Sequence, residues 1–211
     1  MKTEIKELDN IVDLEKAKII FIGGQVATGK TTLALEMIKN VGINQNIPVL
    51  LFSLGLSKEI IVKRIIESSA MVDNKIVNDK ILKLSNAPIN ISDETNITID
   101  YIKEKCRDLK ERKNIKLVVI DYIQLTQQNN ANISKELKEL AEELDITIII
   151  FSQLQKGDEN SVEKRPILKD LKNSEQFIEN ANVMMFLYKN KEKSELIVVK
   201  NDYGNTATIE L

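Results

Sequence analysis

The sequence predicts an α/β fold, a mostly parallel central sheet flanked by helices with a β-hairpin at the C-terminus. Three observations carry the prediction. Short apolar runs rich in β-branched residues recur along the chain, stretches of helical periodicity separate them, and the end of the chain switches to two strand-like runs around a turn.

The apolar runs are Ile19 to Ile22, Val49 to Phe52, Leu117 to Ile120, Ile146 to Phe151, Val183 to Leu187 and Leu196 to Val199. Each has strand length, and most are apolar throughout, as strands covered on both faces of a parallel sheet must be. Four helices are expected between them. Thr31 to Asn40 turns Leu33, Met37 and Ile38 to one side. Ser57 to Ser69 starts at a Ser N-cap and points Ile61, Ile65 and Ile66 inward. Ile99 to Arg112 and Ile133 to Leu144 complete the set, the latter with Leu137, Leu140 and Leu144 at helical spacing. At the C-terminus, Glu195 to Lys200 and Thr206 to Leu211 flank Asn201-Asp202-Tyr203-Gly204-Asn205, which reads as an antiparallel hairpin. Gln127 to Asn132 and Gln155 to Lys164 are polar and read as loops leaving strand ends. No repeat or Pro/Gly/Ser-rich linker divides the chain, so residues 1–211 are read as one domain.

Composition removes whole classes of chemistry. The chain has no His, which excludes His-dependent triads and His-ligated metals, and one Cys, Cys106, which excludes an internal disulfide or a Cys cluster. Thirty Lys plus Arg against 32 Asp plus Glu leave a net charge of −2, so no bulk basic field attracts nucleic acid and any such contact must be local. The N-terminus is too polar for a signal peptide and no apolar run approaches membrane-spanning length, so a cytoplasmic protein without membrane contact is expected.

The strongest chemical signal follows the first strand. Gly24-Gln25-Val26-Ala27-Thr28-Gly29-Lys30-Thr31 fits the phosphate-loop pattern and stands after a buried strand and before a helix, with Thr32 next in that helix. Backbone N–H groups of such a loop and of the helix start point at phosphate oxygens. Lys30 would reach the β and γ phosphates, and the Thr31 hydroxyl would ligate Mg²⁺. A strand–helix turn using Gly only for backbone freedom is the bland alternative. Asp121 closes the run Leu117 to Ile120, where a carboxylate is needed for Mg²⁺ held on a nucleotide. Gln153 occupies the same place after Phe151, where an amide senses the γ-phosphate or orients the attacking water, unless it bonds only loop backbone.

Several segments together resemble one family. IDYIQL (Ile120 to Leu125), FSQL (Phe151 to Leu154), KRPILKDLKNS (Lys164 to Ser174) and ANVMMFLYKN (Ala181 to Asn190) are similar, in that order, to motifs of the DnaB-type replicative helicase ATPase domain, and FSLGLSKE (Phe52 to Glu59) agrees. The resemblance covers essentially the whole chain. It implies a RecA-like fold and a ring, usually hexameric, with ATP and Mg²⁺ at subunit interfaces and single-stranded DNA in the channel. It further implies ATP-driven translocation on that strand, and other replication proteins as partners.

The resemblance breaks in three places. Where the family carries a catalytic Glu in FSLE, this chain has Gly55. Where it carries Lys-x-Arg-x-Gly, this chain keeps Lys200 but places Asp202 at the arginine-finger position. A finger of that kind is worth roughly 10³ to 10⁵ in rate, so loss of both groups implies slow turnover. The inner loop 155–165 sets Lys156, Lys164 and Arg165 against Asp158, Glu159 and Glu163, so DNA contact and a solvated acidic loop are equally consistent with it. Nothing matches the family's separate N-terminal helical domain. Cys106 reads as a structural thiol, Arg107 and Arg112 as solvated or trans-acting cations, and Tyr122 as a packing residue. Three functions compete: a DNA-stimulated helicase ATPase, a nucleotide-binding module that hydrolyses poorly and serves as an assembly or regulatory partner, and a RecA-fold ATPase whose substrate is not DNA.

Overall fold

A computed structural model describes residues 1–68, 81–123, 132–154, 165–171 and 176–211. The chain opens with a short helix, α1 (Lys6–Asp9), and then runs β1 (Ile19–Gly24), α2 (Lys30–Ile38), β2 (Val49–Ser53), α3 (Lys58–Ser68) and β3 (Ile89–Ser92). It continues through α4 (Ile99–Lys113), β4 (Leu117–Asp121), α5 (Ile133–Leu144), β5 (Thr147–Gln153) and α6 (Gln176–Asn180), and ends in β6 (Val183–Lys189), β7 (Ser194–Asn201) and β8 (Ala207–Glu210). The strands form one sheet in the order β3-β2-β4-β5-β1-β6-β7-β8. Pairings from β3 through β6 are parallel, and β6-β7-β8 are antiparallel. The predicted architecture and C-terminal hairpin are therefore present.

Alternation along each central strand builds the two core layers. Ile19 and Phe21 of β1 pack with α4, α5 and Phe177 of α6 on one face, whereas Ile20 and Ile22 pack with α2 and α3 on the other. The middle of each central strand is thus apolar at successive positions because both faces are covered, and polar residues such as Ser53, Asp121 and Gln153 come at the strand ends. Cys106 sits wholly buried in the first layer, where burial pushes its thiol up to about 12. Tyr122 is half-buried against the second layer. Arg107 donates to both carboxylate oxygens of Glu143, at 2.8 and 2.7 Å, and so joins α4 to α5. Arg112 pairs with Asp108 one helical turn earlier.

The elements differ from expectation in two places. The helix after the phosphate loop starts at Lys30 and ends at Ile38, where a π-helix (Lys39–Asn44) takes over. Its wider turn brings buried Asn40 to the N-terminal segment, and the Asn40 side chain donates to the Thr3 carbonyl at 2.7 Å. Strand β3 was not expected. It is an edge strand paired only with β2, half-exposed, and its sequence INIS carries no long apolar run. The polar loops predicted at 127–131 and 155–164, with Lys156 and Lys164, lie outside the described residues.

Candidate functional site

The phosphate loop leaves β1 at its C-terminal end, between the ends of β5 and β6. Gly24 is required for close approach. A Cβ there would stand 2.8 Å from the Thr28 hydroxyl and 3.2 Å from the Leu187 carbonyl. Gly29 has φ 100°, a left-handed conformation that frees the backbone to enter α2. Ala27 is held at φ 63°, an unusual conformation for a residue with a Cβ, and Val26 at the tip is 69% exposed.

Lys30 is buried, and its ammonium donates back to the carbonyls of Gly24 (2.9 Å) and Gln25 (2.7 Å). Burial lowers its pKa, and the Asp121 carboxylate opposes that shift. The Thr31 hydroxyl donates to Asp121 Oδ2 at 2.7 Å, so the two predicted Mg²⁺ ligands, distant in sequence, meet. Asp121 is 6% exposed, and its Oδ1 is buried with no hydrogen-bond partner. Burial raises its pKa against the hydrogen bond from Thr31 and the charges of Lys30 and Arg64. A buried carboxylate oxygen without a donor is a costly arrangement, and it is explained where a cation or its water completes the shell. Among the described residues no group of three acidic or thiol side chains is placed to hold a metal, so a cation here would depend on Thr31, Asp121 and a nucleotide's phosphates.

Gln153 ends β5 directly beside Gly24 in register, with its side chain exposed at the strand end. Thr28, Gly29 and Thr32 line a cavity of about 670 Å³ together with Leu187, Lys189 and Leu211. Ile5 and Glu7 of the N-terminal segment also border it. Sequence reasoning missed these outer walls because they come from both chain termini and carry no motif. It also missed Arg64, which has no motif of its own here and is placed near Asp121 only by the packing of α3.

Among the described residues, Glu59 and Lys200 do not stand in for the Glu and Arg that the family resemblance leads one to expect. Gly55 comes two residues after Ser53, which ends β2 and pairs in register with Asp121, and it carries no carboxylate. Glu59 is occupied at the start of α3, where its own backbone N–H and the Ser57 side chain hold its pKa down. Lys200 lies at the opposite end of the sheet. Asn201 pairs with Val183, at the start of β6 and beside Ile20 near the start of β1, whereas Gly24 pairs with Leu187, about 13 Å further along β6. Lys200 donates to the carbonyls of Ile178 (3.1 Å) and Ala181 (2.7 Å), and Asp202 sits 3.6 Å away. The hairpin therefore cannot serve the phosphate loop of its own chain. Arg165 forms an ion pair with the buried carboxylate of Glu195 on β7, which Lys193 also contacts.

Comparison with known proteins agrees with this geometry. The family model for the DnaB-like helicase C terminal domain matches residues 1–211. The chain is 32% identical to the replicative DNA helicase DnaB of Leifsonia xyli subsp. xyli (strain CTCB07), over 99% of this chain and 52% of that protein. It is 30% identical to the DnaB of Geobacillus stearothermophilus, over 99% of this chain and 53% of that protein. The chain thus spans about half the length of these curated relatives. Among solved structures, one described as an ATPase domain superposes with a TM-score of 0.91 at 29% identity, covering 100% of this chain and 86% of that one. A structure describing a DnaB-like replicative helicase and its interactions with primase gives 0.89 at 29% identity, covering 100% of this chain and 58% of that one. With its mostly parallel sheet, its phosphate loop and Asp121 at the neighbouring strand end, the fold is RecA-like, and the chain belongs to the family of DnaB-like helicase C-terminal domains.

Proposed function

We propose that this chain binds Mg·ATP and works as the motor domain of a DnaB-like ring, hexameric as in the family, coupling slow hydrolysis to movement along single-stranded DNA. The observation that carries the reading is the Thr31–Asp121 contact at 2.7 Å with Asp121 Oδ1 left unpartnered in a buried position. Mg²⁺, if held at Thr31 and Asp121, would offset the negative charge that develops on the phosphates. The chain's own groups do the rest. Lys30 exchanges its two carbonyl acceptors for phosphate oxygens, which are stronger acceptors for an ammonium. Loop N–H groups orient the phosphates, Gln153 stands at the strand end to position water, and the adjoining cavity takes the nucleoside. Lys200 is at the wrong end of the sheet for its own loop, which supports a role toward a neighbouring subunit.

A second reading has a specific observation in its favour. Gly55 and Asp202 stand where the base and the finger are needed, Glu59 is engaged elsewhere, and Lys200 is bound to carbonyls. These features favour a nucleotide-binding assembly partner that turns over little ATP. Steady-state ATP hydrolysis with and without single-stranded DNA, beside a Lys30→Ala control, separates the two. The motor reading requires turnover that rises with DNA and vanishes in the control. ATP binding without Lys30-dependent turnover assigns the chain to the second role.

A further inference from the structure

We propose that Glu36 reads the sugar of the bound nucleotide: its carboxylate accepts a ribose hydroxyl, so the chain prefers ribonucleoside triphosphates to their deoxy counterparts. The inference rests on the nucleotide reading of the cavity beside the phosphate loop, and names a specificity-determining residue within it. That cavity, of about 670 Å³, begins at Thr28, Gly29 and Thr32 and runs on past Leu33 and Glu36 of α2. Its volume is within the range of small-ligand sites.

Helix geometry fixes where Glu36 stands. Helix α2 starts at Lys30, and Thr32 and Glu36, four residues apart, share one face of it, about 6 Å from each other along the axis. The inward face carries Ala34, Met37 and Ile38, buried in the second core layer. Phosphates held by the loop N–H groups and Lys30 lie at the start of the helix. One turn further along the cavity wall is therefore the place of the sugar. The charges of the wall agree. Glu4, Glu7, Glu36 and Glu210 border the cavity against Lys6 and Lys189. An excess of carboxylates repels phosphates and suits groups that donate, as ribose hydroxyls do. Of these four acids, Glu36 alone stands on the helix that the phosphate loop opens. Its Oε2 accepts from the Lys39 ammonium at 2.6 Å, which orients the carboxylate. Among the described residues Oε1 accepts no hydrogen bond, and the side chain is 42% exposed, so a ligand can reach it. A solvated ion pair with Lys39 explains an acid at this position equally well, but it predicts no influence of Glu36 on the choice of sugar.

Calorimetry tests this with ATP, 2′-deoxy-ATP, 3′-deoxy-ATP and tripolyphosphate, each titrated with Mg²⁺ into the unaltered chain, Glu36→Ala and Glu36→Gln. The unaltered chain should bind ATP about tenfold more tightly than the analogue lacking the hydroxyl that Glu36 accepts, and the weaker analogue identifies that hydroxyl. Glu36→Ala should bring ATP down to the affinity of that analogue and leave tripolyphosphate unchanged. Glu36→Gln keeps an acceptor oxygen and should retain part of the preference. Equal affinity of the unaltered chain for ATP and both analogues overturns the proposal and leaves the nucleotide reading standing. A preference that survives Glu36→Ala does the same, as does a parallel loss of ATP and tripolyphosphate in that variant, which marks a structural role. An unaltered chain that binds neither ATP nor tripolyphosphate overturns the nucleotide reading, and this proposal with it.

Discussion

The two ends of the parallel sheet use their charged groups differently. At the end where β1 and β4 finish, Lys30 and Asp121 are buried and incompletely satisfied by protein: Lys30 leans on two strand-end carbonyls, and one Asp121 oxygen has no donor. At the hairpin, Lys200 and Asp202 are satisfied within the chain. Lys200 holds the carbonyls that end α6, and Asp202 accepts from the Asn182 amide at 3.2 Å. Asn182 in turn accepts from the backbone N–H groups of Lys18 and Ile19. Buried charge left short of partners marks a place prepared for a ligand, and charge fully engaged by its own chain marks scaffold. On that contrast the phosphate-loop end has the unmet polar groups of a binding site, and the hairpin is built into the sheet, with Lys200 held by carbonyls of its own chain.

The largest expected effect comes from repairing the weaker side. Gly55 does not adopt the left-handed conformation, so a glutamate fits its backbone without strain. Gly55→Glu combined with Asp202→Arg should raise DNA-stimulated ATP turnover by about 10³-fold, with each single change far less effective. Steady-state hydrolysis checks it, and an inactive double variant would break the view that the two ends cooperate across subunits.

A smaller effect sharpens the contrast at the prepared end. Asp121→Asn keeps an acceptor for Thr31 but removes a buried negative charge. Because burial raises the Asp121 pKa, the folded chain holds that proton more tightly than the unfolded chain. The stability this provides is present at pH below about 3.8 and is lost as pH rises through the folded value. At neutral pH the free carboxylate is thus a cost, and the Asn variant should be more stable by about 1 kcal/mol while binding nucleotide with little dependence on Mg²⁺. Thermal melts between pH 4 and 8 should show the two proteins diverging as pH rises. A less stable Asn variant at pH 7 would make Asp121 a structural residue instead.

The smallest functional effect belongs to the core between the two ends. Cys106, with its thiol pushed up to about 12, should react with iodoacetamide only after unfolding. Cys106→Ala should cost about 1 kcal/mol in a denaturant titration and leave nucleotide affinity unchanged. Altered affinity would show that the first core layer communicates with the loop.

Much of this was legible before any coordinates. Gly24 to Thr31, Asp121 and Gln153 are local patterns, each a strand end followed by a polar residue of defined chemistry, and the register of β1, β4 and β5 brings those ends together. Strand β3 was not legible because an edge strand needs no continuous apolar run. The π-helix was not legible either, because it depends on Asn40 meeting Thr3 from far along the chain. The cavity beside the phosphate loop draws part of its walls from both termini, and no local pattern marks such an assembly.

The order of the central strands and helices and the placement of the phosphate loop follow from residue identity and spacing, since these are local properties of the chain, and the resemblance to the DnaB-type motifs sets Gly55 and Asp202 where the family has Glu and Arg. Which charges end up paired does not follow from spacing. That Lys200 and Arg165 are absorbed by the chain's own carbonyls and carboxylate, and that one oxygen of Asp121 is left over, depend on contacts between segments far apart in sequence. The net effect of a charge is set by its desolvation and its partners, and both exist only once the sheet has closed.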